Sequence, residues 1–381
     1  DGIGGFTTVA KFVSPLGNID YSMMNSGKSD ASTRGDMITQ TLLAHFPMLF
    51  HHNPKTVMVL GLASGITAGE VLNYPVERLD VIEISPQVVE ASKFFVPWNN
   101  NVLANPKTNL IIQDGRAHLQ LTSRKYDVII SEPSNPWMVG LAALFTSDFF
   151  ELAKNRLNED GMFVQWFHSY QLDWQTFALV GRTFAQVFPN SILVQISPSG
   201  VGNDYLFVGF NGEHKLSLEN ARRNLTYAQL SPNVTINDPR LFYLLIFSED
   251  LPKFFGEGFI DTDNRPRLEF AAPKLMYHRD TEITKNVLTK RWLSPQSRDI
   301  VTHIAADIDA QINLAVYALS VYSPFPNMVD TTKATPAQKE RYFKLMEDYY
   351  SKNPIENSSV FKNSELKKRC ISAQINAVRT N

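Results

Sequence analysis

A carboxylate, an amide and an indole follow an apolar run in the stretch VIISEPSNPW, residues 128–137. Glu132 comes directly after the run, and Asn135 and Trp137 follow within the next five residues. The two prolines of this stretch fix two φ angles and remove two amide donors, so the turn is stiff. A carboxylate held there can orient a cationic amine and take its proton, an amide oxygen can accept from N–H groups, and an indole can cover a cation. We therefore predict that Glu132 and Asn135 are catalytic and that Trp137 binds substrate.

A turn of small residues follows another apolar run in TVMVLGLASGITAGEVL, residues 56–72. Small side chains at Gly61, Ala63, Ser64 and Gly65 let the backbone approach a ligand, and the helix that follows offers free N–H groups. The spacing does not match the G-x-G-x-x-G pattern typical of NAD sites. It fits G-x-A-x-G, which is close to the G-x-G-x-G loop of S-adenosylmethionine-dependent enzymes. We predict that these four residues bind a cofactor; the alternative is a tight strand-to-helix turn without a ligand.

Two further strand ends carry acidic residues. Glu83 ends the second run, 22 residues after Gly61, where a carboxylate can accept both hydroxyls of a ribose. Asp114 ends the third run and could bind an adenine amino group, while Gly115 allows close approach. The alternatives are an exposed strand-end carboxylate for Glu83 and a helix N-cap for Asp114. Together the three strand ends predict an adenosine site.

The elements that must position these residues alternate along the chain. From 55 to 210, short apolar runs alternate with helix-like stretches, which predicts a mostly parallel sheet covered on both faces. Ligands of such sheets bind beyond the carboxyl ends of the strands, where the predicted site residues lie. Before this region, β-branched runs are broken at 15–18 and 25–27, which predicts hairpins. Residues 36–50 predict a helix that ends at Pro47.

We divide the chain into three parts. Residues 1–45 are predicted to form an N-terminal β-hairpin region, residues 46–280 a Rossmann-like catalytic domain, and residues 281–381 a helical C-terminal extension. The turn-rich segment DTDNRPRLEF, 261–270, is predicted to be structural, with its own arginines offsetting its acidic residues.

Composition excludes several classes of protein. The net charge of −2 gives no basic field for nucleic acid, and a single cysteine, Cys370, excludes a disulfide framework and a cysteine-based zinc site. The histidines share no metal-ligand spacing with a carboxylate, so we predict no metal site and place these four in loops: His45, His51, His52 and His168. The longest apolar runs are shorter than the roughly 18 residues that cross a bilayer. Because the chain begins with Asp, we expect a fragment or a processed form.

Over residues 1–210, with weaker traces to about 280, the sequence resembles the spermidine synthase family of polyamine aminopropyltransferases. It is most similar to the spermidine-synthase-like domains that are often fused to membrane segments in bacteria. The resemblance rests on these stretches: DMITQTLLAHFPMLFHHNPKTVMVLG, VIEISPQVVEASKFF, QDGRAHL, and YDVIISEPSNP followed by LFTSDFFELAKNRLNEDG. It implies a Rossmann-like class I S-adenosylmethionine-dependent methyltransferase fold, with a small N-terminal β piece and a helical tail.

The resemblance also implies an activity and a set of roles. An aminopropyl group would pass from decarboxylated S-adenosylmethionine to a small-molecule amine. Glu83 would bind the ribose and Asp114-Gly115 the adenine. Gln40 falls where the family contacts substrate, and Glu132 falls on the catalytic acid, which is normally Asp.

Three residues depart from the family pattern. Ser64 stands in place of an Asp that helps to hold the amine end of the decarboxylated donor, so intact S-adenosylmethionine, with its carboxylate, could also fit. Asn135 replaces the second Asp of D-x-x-D, so one anionic anchor for the acceptor is missing. Glu132 is one methylene longer than Asp. A different amine acceptor would explain these changes, and so would a changed reaction.

Two alternative functions stay open. The stretch SNPW, 134–137, resembles the D/N/S-P-P-aromatic loop of amino methyltransferases, so the chain could be an S-adenosylmethionine-dependent N-methyltransferase. It could also be a non-catalytic nucleoside-binding scaffold whose helical tail serves a partner. We expect a cytoplasmic protein, or the soluble part of a membrane-associated one. A homodimer and a membrane tether outside this chain are left open.

Overall fold

The computed structural model describes residues 6–14, 16–196, 204–212, 216–278, 282–322, 327–355 and 358–380. Its strands are β1 Thr7–Val13, β2 Ile19–Asn25, β3 Lys28–Ser32, β4 Thr56–Leu60, β5 Arg78–Glu83, β6 Thr108–Ile112, β7 Tyr126–Ser131, β8 Leu157–His168, β9 Ser191–Gln195, β10 Asp204–Phe210 and β11 Ile246–Ser248. Its α-helices are α1 Met37–Phe50, α2 Ile66–Val71, α3 Pro86–Ser92, α4 Gly115–Leu121, α5 Ser147–Lys154, α6 Trp174–Val187, α7 Leu218–Ala228, α8 Leu251–Phe255, α9 Arg267–Ala271, α10 Glu282–Thr289, α11 Pro295–Ala306, α12 Ile308–Ser320, α13 Pro336–Tyr350 and α14 Ser364–Thr380.

The N-terminal strands β1, β2 and β3 form a small antiparallel sheet, as the hairpin signals predicted. The turn between β2 and β3 contains Ser26 and Gly27, whose φ angles are 50° and 85°. Such left-handed values at both central positions twist the backbone as a two-residue hairpin requires. The other predicted turn covers residues 15–18, and its first residue, Pro15, lies outside the described residues.

The large sheet has the order β11-β9-β10-β8-β7-β4-β5-β6 in the described part of the chain. Neighbours from β6 to β8 pair in parallel, whereas β10 pairs antiparallel with both β8 and β9, and β11 pairs antiparallel with β9. The predicted Rossmann-like fold is therefore confirmed, as a mixed sheet with a parallel half. The carboxyl ends of β4, β5, β6 and β7 meet at one edge, where the predicted site residues lie.

Helices cover both faces of this sheet. One core packs α1, α2 and α3 against it through side chains such as Phe46, Ile66 and Val88. The other packs α4, α5 and α6 through side chains such as Leu119 and Phe163. The apolar runs of β4, β5 and β7 are buried on both faces, which explains why they read as continuous rather than alternating.

The prediction that the first helix ends at Pro47 is wrong. Helix α1 continues to Phe50, and all of its residues are buried. A proline inside a helix removes one backbone hydrogen bond. Here Phe50 packs edge-on against Phe242 and Tyr243, at centroid distances of 6.5 and 5.5 Å. The burial of this last turn outweighs the lost bond.

The C-terminal helices α12, α13 and α14 share an apolar cluster that includes Ile312, Phe343 and Cys370. Other residues of α12 face the main core, where Tyr317 packs on Phe242 at 6.1 Å. The extension is helical, as predicted. The three-part division stays a prediction, and α1 crosses its first boundary. Among the described residues, no helix has the length and apolar character that a membrane span needs.

Candidate active site

The loop after β4 is held in an unusual backbone conformation. Gly61, Ala63 and Gly65 have φ angles of 93°, 43° and 79°, a left-handed region that favours glycine. A Cβ atom on Gly61 would lie 2.6 Å from the carbonyl oxygen of Glu132. Only a residue without a side chain fits there, because the backbone after β4 touches the backbone after β7. The two loops that sequence analysis singled out are therefore in direct contact.

Glu83 supports the first loop from the end of β5. Its carboxylate accepts hydrogen bonds from the backbone N–H of Leu62 at 3.0 Å and of Ser85 at 2.8 Å. Burial raises the pKa of Glu83, and these backbone bonds act in the opposite direction. The alternative of an exposed carboxylate is therefore wrong, because Glu83 is buried against the loop.

Two solvent-exposed apolar side chains lie beside Glu83. Ile84 directly follows Glu83 and is 46% exposed. Ile112 on β6 is the register partner of Glu83 and is 49% exposed. Exposed isoleucines at strand ends offer a flat apolar surface where a purine ring could pack. Sequence analysis missed both residues, because an isoleucine that ends an apolar run is not distinguished from the buried ones before it.

Asp114 caps α4. Its Oδ1 accepts a hydrogen bond from the N–H of Ala117 at 2.8 Å, so the N-cap alternative is present. A Cβ atom on Gly115 would lie 2.6 Å from side-chain atoms of Leu60. The glycine is therefore required for packing against β4. Adenine binding by Asp114 and Gly115 stays a prediction.

Glu132 lies at the end of β7, where its N–H donates to Leu60 O at 2.9 Å. Its Oε2 accepts a hydrogen bond from Thr67 Oγ1 on α2 at 2.7 Å. Burial raises the pKa of Glu132 to about 8, against the bond from Thr67, and three nearby carboxylates raise it further. They are Asp36, Asp204 and Asp30. A carboxyl with such a pKa can bind and release a proton near neutral pH.

Asn135 is fully buried in the same turn. Its Nδ2 donates to the hydroxyl of Tyr170 at 2.9 Å, and its Oδ1 has no hydrogen-bond partner among the described residues. Trp137 packs edge-on against His168 and Tyr170, at centroid distances of 5.0 and 6.0 Å. Asn135 and Trp137 therefore both contact Tyr170, in the same turn that begins at Glu132.

The expected loop position of His168 is wrong, and so is that of His45. His168 is the buried last residue of β8, and its Nδ1–H donates to Tyr170 O at 3.0 Å. Burial lowers the pKa of His168 to about 3, so the ring is neutral. His45 lies inside α1, where it bonds to Glu70 at 3.0 Å and to Tyr74 at 2.7 Å. Periodicity alone did not show that these histidines face the interior.

Gln40 connects the loop at 61–65 to the N-terminal sheet. The hydroxyl of Ser64 donates to Gln40 Oε1, and Gln40 Nε2 donates to Ser32 O at 2.9 Å. Thr67 Oγ1 lies 3.1 Å from Gln40 O as well as beside Glu132. Ser64 and Gln40 therefore form a neutral, hydrogen-bonded link between the loop at 61–65 and β3.

Sequence analysis missed two carboxylates of this site. Asp36 stands at the N-cap position of α1, but its side chain makes no capping hydrogen bond. Asp204 begins β10, and it accepts bonds from Thr39 Oγ1 at 2.9 Å and from Trp166 Nε1 at 3.3 Å. In the sequence, an acidic residue before a helix looks like a helix N-cap. An acidic residue at the start of a strand looks like a solvent-exposed strand end. Neither pattern indicated a functional residue.

The chain has a Rossmann-like α/β fold of the class I methyltransferase type, with the predicted site residues at the carboxyl ends of its strands. The profile of the Spermine/spermidine synthase domain matches residues 36–218. This segment is just under half of the chain, and its similarity to the spermine/spermidine synthase domain agrees with the family resemblance seen in the sequence.

Individual relatives agree with this assignment. A polyamine aminopropyltransferase of Methanocaldococcus jannaschii is 39% identical over 144 residues, which are 37% of this chain and 48% of that protein. One from Bacillus subtilis is 29% identical over 197 residues, 50% of this chain and 70% of that protein. The chain thus spans about half the length of the first of these relatives.

A crystal structure of spermidine synthase in complex with the transition state analogue AdoDATO has a TM-score of 0.50 to this chain. The two are 20% identical, and the superposition covers 74% of this chain and 85% of the other. This likeness supports the fold.

Proposed function

We propose that this chain transfers an aminopropyl group from decarboxylated S-adenosylmethionine to a primary amine. The observation that carries the proposal is the position of Glu132. This half-buried carboxyl, with its pKa raised to about 8, lies against the small-residue loop that would hold the donor. A general base whose pKa is near the working pH is well suited to take a proton from an attacking amine.

The donor-binding residues fit a nucleoside. The left-handed loop at 61–65 leaves room for close approach, Glu83 lies beneath it, and Ile84 and Ile112 offer an apolar surface for the base. The donor supplies an electrophilic carbon next to a sulfonium. A new N–C bond forms at that carbon, the S–C bond breaks, and its electron pair stays on sulfur to give methylthioadenosine.

The chain's own residues orient the amine and accept its proton. Thr67 fixes the Glu132 carboxylate by a hydrogen bond of 2.7 Å, and the prolines of the turn keep its backbone rigid. Such positioning holds the nitrogen in line with the reacting carbon. After the N–C bond forms, the proton released from nitrogen passes to Glu132.

One observation favours a second candidate, an S-adenosylmethionine-dependent N-methyltransferase. Ser64 is buried and its hydroxyl is bonded to Gln40, so the donor loop carries no charge at that position. An uncharged loop does not repel a donor carboxylate. Intact S-adenosylmethionine is therefore the competing donor.

Two measurements on the purified chain test the proposal. Calorimetric titration compares decarboxylated with intact S-adenosylmethionine, and product analysis separates methylthioadenosine from S-adenosylhomocysteine in reactions with an amine. We expect the decarboxylated donor to bind at least about tenfold more tightly, about 1.4 kcal/mol, and methylthioadenosine to be the product. S-adenosylhomocysteine as the product would establish methyl transfer. No binding of either donor would leave the scaffold interpretation.

A further inference from the structure

The N-terminal hairpin places a lysine beside the candidate active site. Lys28 is the first residue of β3 and directly follows the left-handed turn at Ser26 and Gly27. Its ammonium group forms an ion pair with Asp30 at 3.3 Å and lies 5.9 Å from the ring centre of Tyr170. The side chain of Lys28 is only 31% exposed. Lys28 is therefore a cation held at the edge of the site and not a freely solvated surface charge.

Asp30 fixes the position of this ammonium group. The register between β2 and β3 shifts by one residue and leaves Asp30 outside the ladder, as a bulge that re-aims its side chain. Its carboxylate accepts hydrogen bonds from Asn25 Nδ2 at 2.7 Å and from Ser134 Oγ at 2.8 Å. Ser134 belongs to the stiff turn that begins at Glu132. The ion pair of Lys28 is thus part of the contact between the N-terminal sheet and this turn.

The charge of Lys28 also acts on the acidic side of the site. Burial, the largest cause, raises the pKa of Asp36 and of Asp204, and the ammonium group of Lys28 acts against burial in both cases. Burial and Lys28 together lower the pKa of His168 to about 3. Positive charge on this side of the site is therefore already supplied by the chain itself.

Two buried hydrogen-bond acceptors beside Tyr170 are uncharged. Asn135 Oδ1 and His168 Nε2 have no hydrogen-bond partner among the described residues. His168 Nε2 is an acceptor, because the ring is neutral and its Nδ1–H donates to Tyr170 O. Asn135 donates to the hydroxyl of Tyr170 at 2.9 Å, and the ring of His168 stacks on that of Tyr170 at 4.1 Å. Such acceptors match a ligand that brings neutral O–H or N–H donors.

A second ammonium group on the acceptor is poorly matched to these surroundings. Near Tyr170 it would meet the like charge of Lys28, and charges at such short range in a protein repel strongly. A hydroxyl group of similar size carries no charge and can donate to Asn135 Oδ1 or to His168 Nε2. The surroundings of Tyr170 thus discriminate between acceptors by charge, and Lys28 is the residue that discriminates.

We propose that Lys28 makes this chain selective for an acceptor with one primary amine and an uncharged, hydrogen-bonding tail, such as an amino alcohol, over a diamine. The inference rests on the proposed transfer to an amine, and it names the class of acceptor. The reacting amine forms the N–C bond as the S–C bond of the donor breaks, and its proton passes to Glu132. The tail undergoes no covalent change.

Two acceptors of equal length test the proposal. Methylthioadenosine release from decarboxylated S-adenosylmethionine is measured with 4-aminobutan-1-ol and with 1,4-diaminobutane, in the wild type, Lys28→Met and Lys28→Arg. Lys339→Met on α13 is the matched control. Lys339 also forms an ion pair, with Glu365 at 2.8 Å, and its ammonium group also lies near a ring, 5.2 Å from the centre of Phe343. Methionine keeps an apolar stem and removes the charge.

We expect kcat/KM of the wild type to be at least about tenfold higher for the amino alcohol than for the diamine. Lys28→Met should raise kcat/KM for the diamine by about tenfold relative to that for the amino alcohol. Lys28→Arg keeps the charge and should keep the wild-type preference, and so should Lys339→Met. A purely structural role of Lys28 would lower both activities and leave their ratio unchanged. An unchanged ratio in Lys28→Met, or a wild type that prefers the diamine, would overturn the inference.

The proposed function can fail separately. If the wild type releases no methylthioadenosine with either amine, the transfer proposal is wrong. Calorimetry of the two amines with the protein and methylthioadenosine then decides the role of Lys28. Tighter binding of 1,4-diaminobutane to Lys28→Met than to the wild type and Lys339→Met would support it, and equal binding to all three proteins would overturn it.

Discussion

At the scale of single residues, two features of the surroundings of Glu132 have opposite effects on its charge state. Its burial favours the neutral form and raises its pKa to about 8, whereas Thr67 donates a hydrogen bond that favours the charged form. A protein gains nothing in stability from a carboxylate placed among other carboxylates. The arrangement is understandable if the carboxyl must exchange a proton during turnover.

Glu132→Gln should abolish most of the activity. The amide can keep the bond from Thr67, so the loop stays in place, but it cannot accept a proton. We expect kcat to fall by about 10² to 10⁴, the usual contribution of a general base. The rate of methylthioadenosine release measures this, and calorimetry with methylthioadenosine should show unchanged affinity. Activity that survives at the wild-type level would show that another group accepts the proton.

The same residue predicts a pH dependence of stability. Its pKa is about 8 in the folded chain and near 4.5 when unfolded, so the folded state binds more protons between these values. The contribution of Glu132 to the free energy of unfolding should therefore fall as the pH rises from 4.5 to 8. Urea unfolding of wild type and Glu132→Gln at pH 5 and pH 8.5 measures it. The variant should gain stability relative to the wild type at the higher pH; a constant difference would contradict the burial of this carboxylate.

At the scale of elements, the segment between β7 and α5 is held at both ends. The hydroxyl of Ser134 donates to Asp30 on β3 at 2.8 Å. At the other end, Arg116 on α4 donates to Ala143 O at 3.0 Å and forms a bidentate pair with Asp263. The N-terminal sheet and the turn near 263 therefore both position the segment that follows Glu132.

The first part of the segment 261–270 is a turn, as predicted, whereas its residues 267–270 belong to α9. Thr262 and Arg265 form a β-bridge, and Asp261 accepts the N–H groups of Arg267 and Leu268. We expected the arginines of this segment to offset its acidic residues, and for Asp263 this is wrong. Its partner is Arg116, from a distant part of the chain. Sequence neighbours could not reveal this pair, because it depends on how α4 meets the turn.

Asp263→Asn should weaken donor binding without removing the catalytic group. The loss of one charged partner frees Arg116, which lies beside Asp114 and Gly115 and holds the backbone at Ala143. We expect the Kd for methylthioadenosine to rise by about three- to tenfold, which corresponds to about 0.7–1.4 kcal/mol. Calorimetry measures it, with the exposed Glu269→Gln on α9 as the matched control. Equal affinity in both variants would show that the pair does not support the donor site.

At the scale of the whole molecule, the helical extension has its own apolar cluster and also contacts the N-terminal sheet. Arg34 lies 5.4 Å from the ring centre of Tyr322 and donates to Asn353 at 3.3 Å, and Asn18 donates to Lys352 O. The small sheet that carries Lys28 and Asp30 is thus held between the main domain and the extension.

Phe343→Ala should separate stability from binding. Phe343 is buried in the cluster of α12, α13 and α14, which contains none of the predicted donor or acceptor residues. We expect the free energy of unfolding to fall by about 3–5 kcal/mol, as for other large-to-small core substitutions. Urea unfolding measures this, and Val360→Ala at a more exposed position is the control. A tenfold loss of methylthioadenosine affinity would instead show that the packing of the extension supports the site.

The sequence by itself determined the alternation of strands and helices, the edge of the sheet where the predicted site residues lie, and the stiff turn that carries Glu132 and Asn135. These follow from local signals, namely apolar periodicity, small residues after a strand and prolines in a turn. The same local rules failed at Pro47, because burial against Phe242 and Tyr243 is a long-range effect.

Only the tertiary structure decided which groups share the site. Asp36 and Asp204 are 168 residues apart, and Thr39 brings them together when α1 packs against β10. The burial of Glu132, the neutral state of His168 and the pairing of Arg116 with Asp263 also depend on such packing. Desolvation and Coulomb interactions act through space, so their effects on charge cannot be read from the order of residues along the chain.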